Sequence, residues 1–245
     1  MTLARTETPG PAGTGAPFDG VRSIADFLRV WLERGLLEPD EERLLHDYYR
    51  KFRRLRSERM QAVYAEQIRE AQDLVRARPG LKVLEVGTGC GTEALWLAVN
   101  GADVTSIDVA PHYTALAERR REVLQEALGR PLACRFRTCP VLDLAGTGEF
   151  DLVWMEQTFH HLEPREACVR IIAGLVRPGG WLIISEANGL NPLLQLQLLL
   201  FRGTRTVVAT RRPDGSEYLY GNERVLSAFT LRALFARQGI ACERI

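Results

Sequence analysis

The chain has 245 residues, 46% of them apolar and 26% charged, with 32 basic against 31 acidic side chains. That length suits one α/β domain with a helical accessory, and that apolar share supplies a core, which argues against a disordered chain. A formal charge of +1 gives no global field for nucleic acid, and no apolar run reaches the roughly 18 residues a bilayer span needs.

In chain order, residues 1–20 are rich in Gly, Pro, Thr and Ala and lack a cationic-then-apolar order, so they are expected to be a disordered tail and not a signal peptide. Ser23 to Glu33 carries a helix-like apolar face in Ile24, Phe27, Leu28, Val30, Trp31 and Leu32. Pro39-Asp40 marks a new start, and Glu41 to Arg78 runs without Pro or Gly at apolar spacings of three and four, which predicts one long helix or two joined ones. Pro79-Gly80 ends it. From there the pattern alternates. Lys82–Val86, Val104–Asp108, Ala133–Arg137, Phe150–Met155 and Trp181–Glu186 read as strands. Thr92–Val99, Pro111–Leu128 and Pro164–Val176 read as helices between them. This alternation predicts a doubly wound, Rossmann-like α/β fold on a mostly parallel sheet. Pro192 to Phe201 reads as a Leu-rich helix, Thr204 to Tyr220 as a hairpin around Pro213-Asp214-Gly215, and Thr230 to Gln238 as a helix before a strand start at Ile240. A sheet of this type normally closes with a strand hairpin, whose last strand would lie beyond Ile245.

Five cysteines (Cys90, Cys134, Cys139, Cys168, Cys242) form no CxxC pair. Odd count and scattered spacing predict reduced thiols in a cytoplasmic protein, with no disulfide framework. With only four histidines besides, no metal centre is expected.

The informative stretch is Val83-Leu84-Glu85-Val86-Gly87-Thr88-Gly89-Cys90-Gly91. Alternate glycines between a strand and a helix permit a tight turn against which a ligand can lie, and the following helix N-terminus presents backbone N–H groups. A dinucleotide fingerprint, GxGxxG, would need glycine at position 92 or 94, which hold Thr92 and Ala94. No Gly-Lys-Ser/Thr follows, which excludes a P-loop. Glu85 puts a carboxylate under the turn, repelling a pyrophosphate but suiting an ammonium. Asp108 ends the second strand, where a carboxylate can accept both ribose hydroxyls; the alternative is a plain helix cap.

LEVGTGCGTEALWLA, SIDVAP, FDLVWMEQTFHHLEP and LVRPGGWLIISEAN resemble the successive motifs of class I S-adenosylmethionine-dependent methyltransferases, over roughly residues 80–190. The likeness is nearest the quinone and natural-product small-molecule branch. It implies a seven-stranded-type sheet, with S-adenosylmethionine as cofactor. By it, Gly87, Thr88, Gly89 and Gly91 would pass the methionine part, Glu85 would sit near its amino group directly or through water, Asp108 would hold the ribose and Val109 would touch adenine. The family's usual acidic adenine contact has no match, since Cys139 and Pro140 stand there. Either Asp143 substitutes from a shifted loop, or adenine is held by backbone groups and by Val141. The domain plan is a tail at 1–20, a helical lid or accessory at 21–79 and a methyltransferase domain at 80–245, with a substrate-side insertion at 190–228.

For the acceptor side, His160 and His161 follow the fourth strand, whose C-terminal end borders the ligand crevice of an open α/β sheet. Histidine titrates near neutrality and suits proton removal from a hydroxyl. His160 is the preferred base; helix capping is the alternative for both. Glu186, ending the fifth strand, would orient a histidine or bind acceptor, or else make a loop hydrogen bond. Glu156 and Gln157 would border the methionine and methyl region. Tyr48, Tyr49 and Tyr64 would pack against the domain or line a pocket. Leu193–Phe201 would pack on the domain, with a pocket wall, a dimer surface and membrane contact as alternatives, and Arg202, Arg205, Arg211 and Arg212 form a basic cluster. The expected activity is O-methylation of a small-molecule hydroxyl or phenol, with no nucleic-acid partner and a homodimer possible. The alternative is a protein that binds S-adenosylmethionine without methyl transfer, as a cyclase-type enzyme or regulatory partner.

Overall fold

The computed structural model describes residues 17–50, 55–211, 215 and 217–244. Residues 1–16, and so most of the expected tail, lie outside it, as do Arg212 and the Pro213-Asp214 turn.

The first section is helical: α1 (Ile24–Glu33), α2 (Pro39–Arg50) and α3 (Glu58–Ala77). Ser23 and Ser57 cap α1 and α3, their hydroxyls accepting from the N–H of Asp26 and Met60. Of the two alternatives for 41–78, two helices are present. The strands and helices that follow are β1 (Lys82–Val86), α4 (Thr92–Val99), β2 (Asp103–Asp108), α5 (Pro111–Leu128), β3 (Cys134–Thr138), β4 (Phe150–Glu156), α6 (Arg165–Leu175) and β5 (Val176–Ser185). α5 opens on Pro111 and closes on Gly129 at φ 62°, the residues best suited to those ends.

The sheet order is β3-β2-β1-β4-β5, every pair parallel. Strand periodicity divides the core in two. Val83, Val104, Leu152 and Trp154 face α1–α5, whereas Leu84, Val86, Ile107, Val153 and Met155 face α6 and α8 (Ala228–Ala236). Ile24, Phe27, Leu28 and Trp31 of α1, Tyr49 of α2, and Tyr64 and Ile68 of α3 join the first core, so the N-terminal helices share the interior of the α/β layer. Strand order reverses between β1 and β4, and the crevice at that switch point is where such sheets bind ligands.

Five strands, not seven, form this sheet among the described residues. The hairpin expected at 204–220 is present as β6 (Val207–Arg211) and β7 (Glu217–Gly221), but its strands pair only with each other as a separate two-stranded sheet. The strand start expected at Ile240 is absent, because residues 240–244 carry no regular structure. α7 (Pro192–Arg202) also differs from its expected packing: only Leu198 is buried, while Leu193, Leu200 and Phe201 are 76–80% exposed.

Candidate active site

The turn after β1 is built by glycine geometry. Gly87, Gly89 and Gly91 all take positive φ, at 85°, 47° and 80°. A Cβ on Gly87 would stand 2.1 Å from Thr158 Oγ1, and one on Gly89 2.1 Å from the Tyr48 hydroxyl oxygen. Close approach from the segment after β4 on one side and α2 on the other therefore excludes larger residues. The N–H groups of Gly87 and Thr88 donate to the Ile107 carbonyl, tying the turn to β2.

Asp108 performs two jobs at once. One carboxylate oxygen accepts the Gly89 N–H at 2.9 Å and the other accepts the Ala110 N–H, also at 2.9 Å. It braces the residue before α5 and clamps the glycine turn, and a carboxylate has acceptor capacity beyond these two bonds for a ligand. Burial raises its pKa, against the lowering effect of these backbone donors.

Glu85 lies below the turn, almost fully buried, where it accepts hydroxyl hydrogens from Thr88 at 2.9 Å and Ser106 at 2.5 Å. Burial, reinforced by the neighbouring Glu93 carboxylate, pushes its pKa up to about 8. Thr88 is itself buried, so Glu85 sits one layer beneath the surface of the turn. This favours the indirect version of its expected contact.

The far side of the turn is locked by Arg120, which sequence reasoning did not single out, and by two of the tyrosines that it did. Arg120 of α5 is fully buried, donates to the Cys90 carbonyl and to Thr92 Oγ1, and stacks on Trp31 at 4.5 Å. The Tyr49 hydroxyl also donates to Thr92 Oγ1, and the Tyr64 hydroxyl donates to Glu93 at 2.7 Å. Two of the three tyrosines thus pin the start of α4, and Tyr48 covers the turn beside Tyr113.

The adenine-side expectations are less converged. Val109 is half exposed at the end of β2, Val141 is buried beside Ile107 in the second core, and Asp143 is exposed. The Cys139 N–H donates to the Asp108 carbonyl, which brings this loop next to the carboxylate. Glu156 ends β4 opposite Ser185, and the Gln157 N–H donates to the Ser185 carbonyl with Gln157 at φ 48°. This left-handed residue turns the chain so that Thr158 meets Gly87.

Directly after it, Phe159–His161 form a 3-10 turn. His160 is buried; its Nδ1 lies 2.7 Å from Glu186 Oε2, and its backbone N–H donates to Glu186 Oε1 at 3.2 Å. Glu186 therefore meets both the ring and the backbone of His160. His161 Nδ1 lies 2.9 Å from the Gly221 carbonyl oxygen, and its ring stacks on Tyr220 at 4.5 Å. Burial, then the neighbouring His160, hold the His161 pKa below the usual imidazole range. Glu223, unforeseen from sequence, faces both rings. Beneath them Arg165 stacks on Phe159 and pairs with Glu163, which also binds Arg224 at 2.7 Å. That network holds the segment after β7 against the histidine turn.

Residues 84–184 match the family described as a methyltransferase domain. That match runs from β1 to β5 and includes the glycine turn and Asp108. It is 34% identical over 119 residues to the ubiquinone biosynthesis O-methyltransferase of Bordetella avium, covering 48% of this chain and 47% of that protein. It is 36% identical over 111 residues to the protein of the same name from Chromobacterium violaceum, covering 44% and 45%. The chain thus spans about half the length of the curated relatives it matches. Among solved structures, the fold is similar to that of the YcgJ protein of Bacillus subtilis, with TM-score 0.52 at 18% identity over 71% of this chain and 69% of that one. A SAM-dependent methyltransferase of Methanosarcina mazei gives TM-score 0.51 at 19% identity, covering 66% and 80%.

Proposed function

We propose that this chain is an enzyme transferring a methyl group from S-adenosylmethionine to a hydroxyl or phenol oxygen of a small molecule. The observation that carries the reading is the Asp108 carboxylate at the tip of β2, hydrogen-bonded to Gly89 of the turn leaving β1. The residues present suit the cofactor: a side-chain-free turn, a carboxylate with lone pairs to spare for ribose, and a buried Glu85 beneath the methionine end. Gly87, Thr88, Gly89 and Gly91 would pass its methionine part, Glu156 and Gln157 would border the methyl, and Val109, Val141 and Asp143 would flank adenine. When bound, S-adenosylmethionine supplies an electrophilic methyl on a sulfonium, which leaves as a neutral thioether.

The chain's own residues then position the acceptor and handle its proton. His160, with Nδ1 held by Glu186, presents Nε2 as the base, and His161 stands beside it. The N-terminal helices at 21–79 cover the turn as an accessory, and 190–228 forms the acceptor side. A near-neutral charge supports a small-molecule acceptor over nucleic acid. Five free thiols support a cytoplasmic setting, and the outward leucines of α7 support a homodimer. No helix among the described residues is long and apolar enough to cross a membrane. The relatives' role in ubiquinone biosynthesis makes ring hydroxyls of quinone precursors the first acceptors to try.

The test is transfer of isotopically labelled methyl from the cofactor to a panel of phenols and catechols. Transfer is expected, with His160→Ala and His161→Ala lowering turnover about 10²–10⁴-fold while cofactor affinity holds. Tight cofactor binding with no transfer would favour the non-transferring alternative.

A further inference from the structure

Few histidines and scattered cysteines gave no reason to expect a metal, but the fold assembles a ligand set that chain spacing conceals. The His160 and His161 rings stand side by side with centroids 3.9 Å apart. Each has its Nδ1 engaged by an oxygen: His160 by Glu186 at 2.7 Å, His161 by the Gly221 carbonyl at 2.9 Å. A carbonyl oxygen can only accept, so Nδ1 of His161 carries the hydrogen and its Nε2 keeps a lone pair when the ring is neutral. An ionised Glu186 imposes the same tautomer on His160. Metal-bound histidines are oriented by this same outer contact to a carboxylate or carbonyl.

Both Nε2 atoms face one carboxylate. Glu223 Oε2 is 3.6 Å from Nε2 of His160, and Oε1 is 4.0 Å from Nε2 of His161. These separations are too long for hydrogen bonds. One ligand atom from each of the three residues lies within 4.8 Å of the others. An ion bound at about 2.0–2.2 Å in tetrahedral geometry sets its ligands roughly 3.4 Å apart, so the three groups must close in by up to about 1.4 Å on binding. The site is built rather than accidental. Glu223 is held at φ 52°, a costly conformation for glutamate. Gly221 approaches so closely that a Cβ there would stand 2.1 Å from the His160 carbonyl oxygen, and Tyr220 stacks on His161. Glu223 also lines the groove beside Leu198, Leu200 and Phe201 of α7, so the site borders open space.

We propose that His160, His161 and Glu223 form a binding site for a first-row divalent cation of the zinc type, with Glu186 and the Gly221 carbonyl as its positioning partners. Two imidazoles and one carboxylate leave a coordination position open. The role assigned to the cation rests on the acceptor-side reading above: it polarises the acceptor hydroxyl, whose proton leaves to water, in place of a free His160 imidazole. Cation binding itself does not depend on that reading.

The experiment uses the full chain, stripped with chelator, dialysed and titrated with zinc sulfate by calorimetry, with the bound ion counted by elemental analysis. One zinc per chain is expected. Glu223→Gln and His161→Ala should each weaken it at least 100-fold, and Glu186→Gln, which removes no ligand, about 10–100-fold. Cobalt in place of zinc should give visible absorption bands that Glu223→Gln abolishes. Zinc should raise the melting temperature of the wild type and not of Glu223→Gln, whose site is partly exposed and whose fold should survive. Substoichiometric zinc, or affinity unchanged in both Glu223→Gln and His161→Ala, would overturn the site. S-adenosylhomocysteine titrated into the same preparations separates the two readings. Lost cofactor binding with intact zinc binding would fail the methyltransferase reading alone, and the converse would fail the cation site alone.

Discussion

Glu85 makes stability depend on pH in a direction opposite to that of an ordinary paired carboxylate. The folded protein raises its pKa from 4.5 to about 8, mainly by burial and then through Glu93. Between those values the folded chain keeps the proton and the unfolded chain has released it. Stability from this group is therefore fully present below about pH 4.5 and is lost as pH rises through 8. At 1.36 kcal/mol per unit, the loss between pH 5 and 8 is roughly 3–4 kcal/mol, an order-of-magnitude figure for a buried group. Glu85→Gln keeps a carbonyl oxygen for the Thr88 and Ser106 hydroxyls and cannot ionise, so it should remove that slope and be the more stable protein at pH 8. Urea unfolding from pH 5 to 9, compared between wild type and variant, measures the difference directly. Parallel pH profiles would refute the claim that Glu85 is neutral under the turn.

Gly87→Ala combines a φ of 85° with a Cβ 2.1 Å from Thr158 Oγ1, so it should cost more than the ~1–2 kcal/mol of left-handed strain alone and weaken cofactor binding. An unchanged melting temperature would show that the turn is not shaped as described. Asp108→Ala strands the N–H groups of Gly89 and Ala110, a loss of about 3 kcal/mol or more at charge-assisted values. Its cofactor affinity should fall by more than about 10²-fold, and calorimetry showing wild-type affinity would remove Asp108 from the ribose role. Tyr49→Phe deletes the donor to Thr92 and should lower stability by about 1 kcal/mol, a shift of roughly 2–4 °C in a thermal melt.

The parts of the site that lie close in sequence were legible before the fold was known. The expected bounds of α4 and α5 match the observed Thr92–Val99 and Pro111–Leu128, because Gly91, Pro111 and Gly129 punctuate the chain where backbone geometry demands it. The Glu85–Gly91 turn and Asp108 likewise followed from strand endings. What resisted reading depends on long-range placement. Glu223 meets His160 and His161 only because the β6–β7 hairpin folds back on the 3-10 turn, and nothing local to position 223 signals it. Arg120 reads as one charge among many on α5 and becomes a buried clamp only once Trp31 lies over it. The leucines of α7 have the composition of a core helix, yet the helix rests on Leu198 and turns the others outward. The count of seven strands came from family likeness, and the β6–β7 hairpin pairs with itself instead of extending the sheet.

Titration of the purified chain with S-adenosylhomocysteine, with NAD as the control ligand and Asp108→Ala alongside, weighs the whole account in one calorimeter. Saturable binding of one nucleoside product per chain, absent for the dinucleotide and lost in the variant, is the predicted result. Heat from NAD and none from S-adenosylhomocysteine would contradict it.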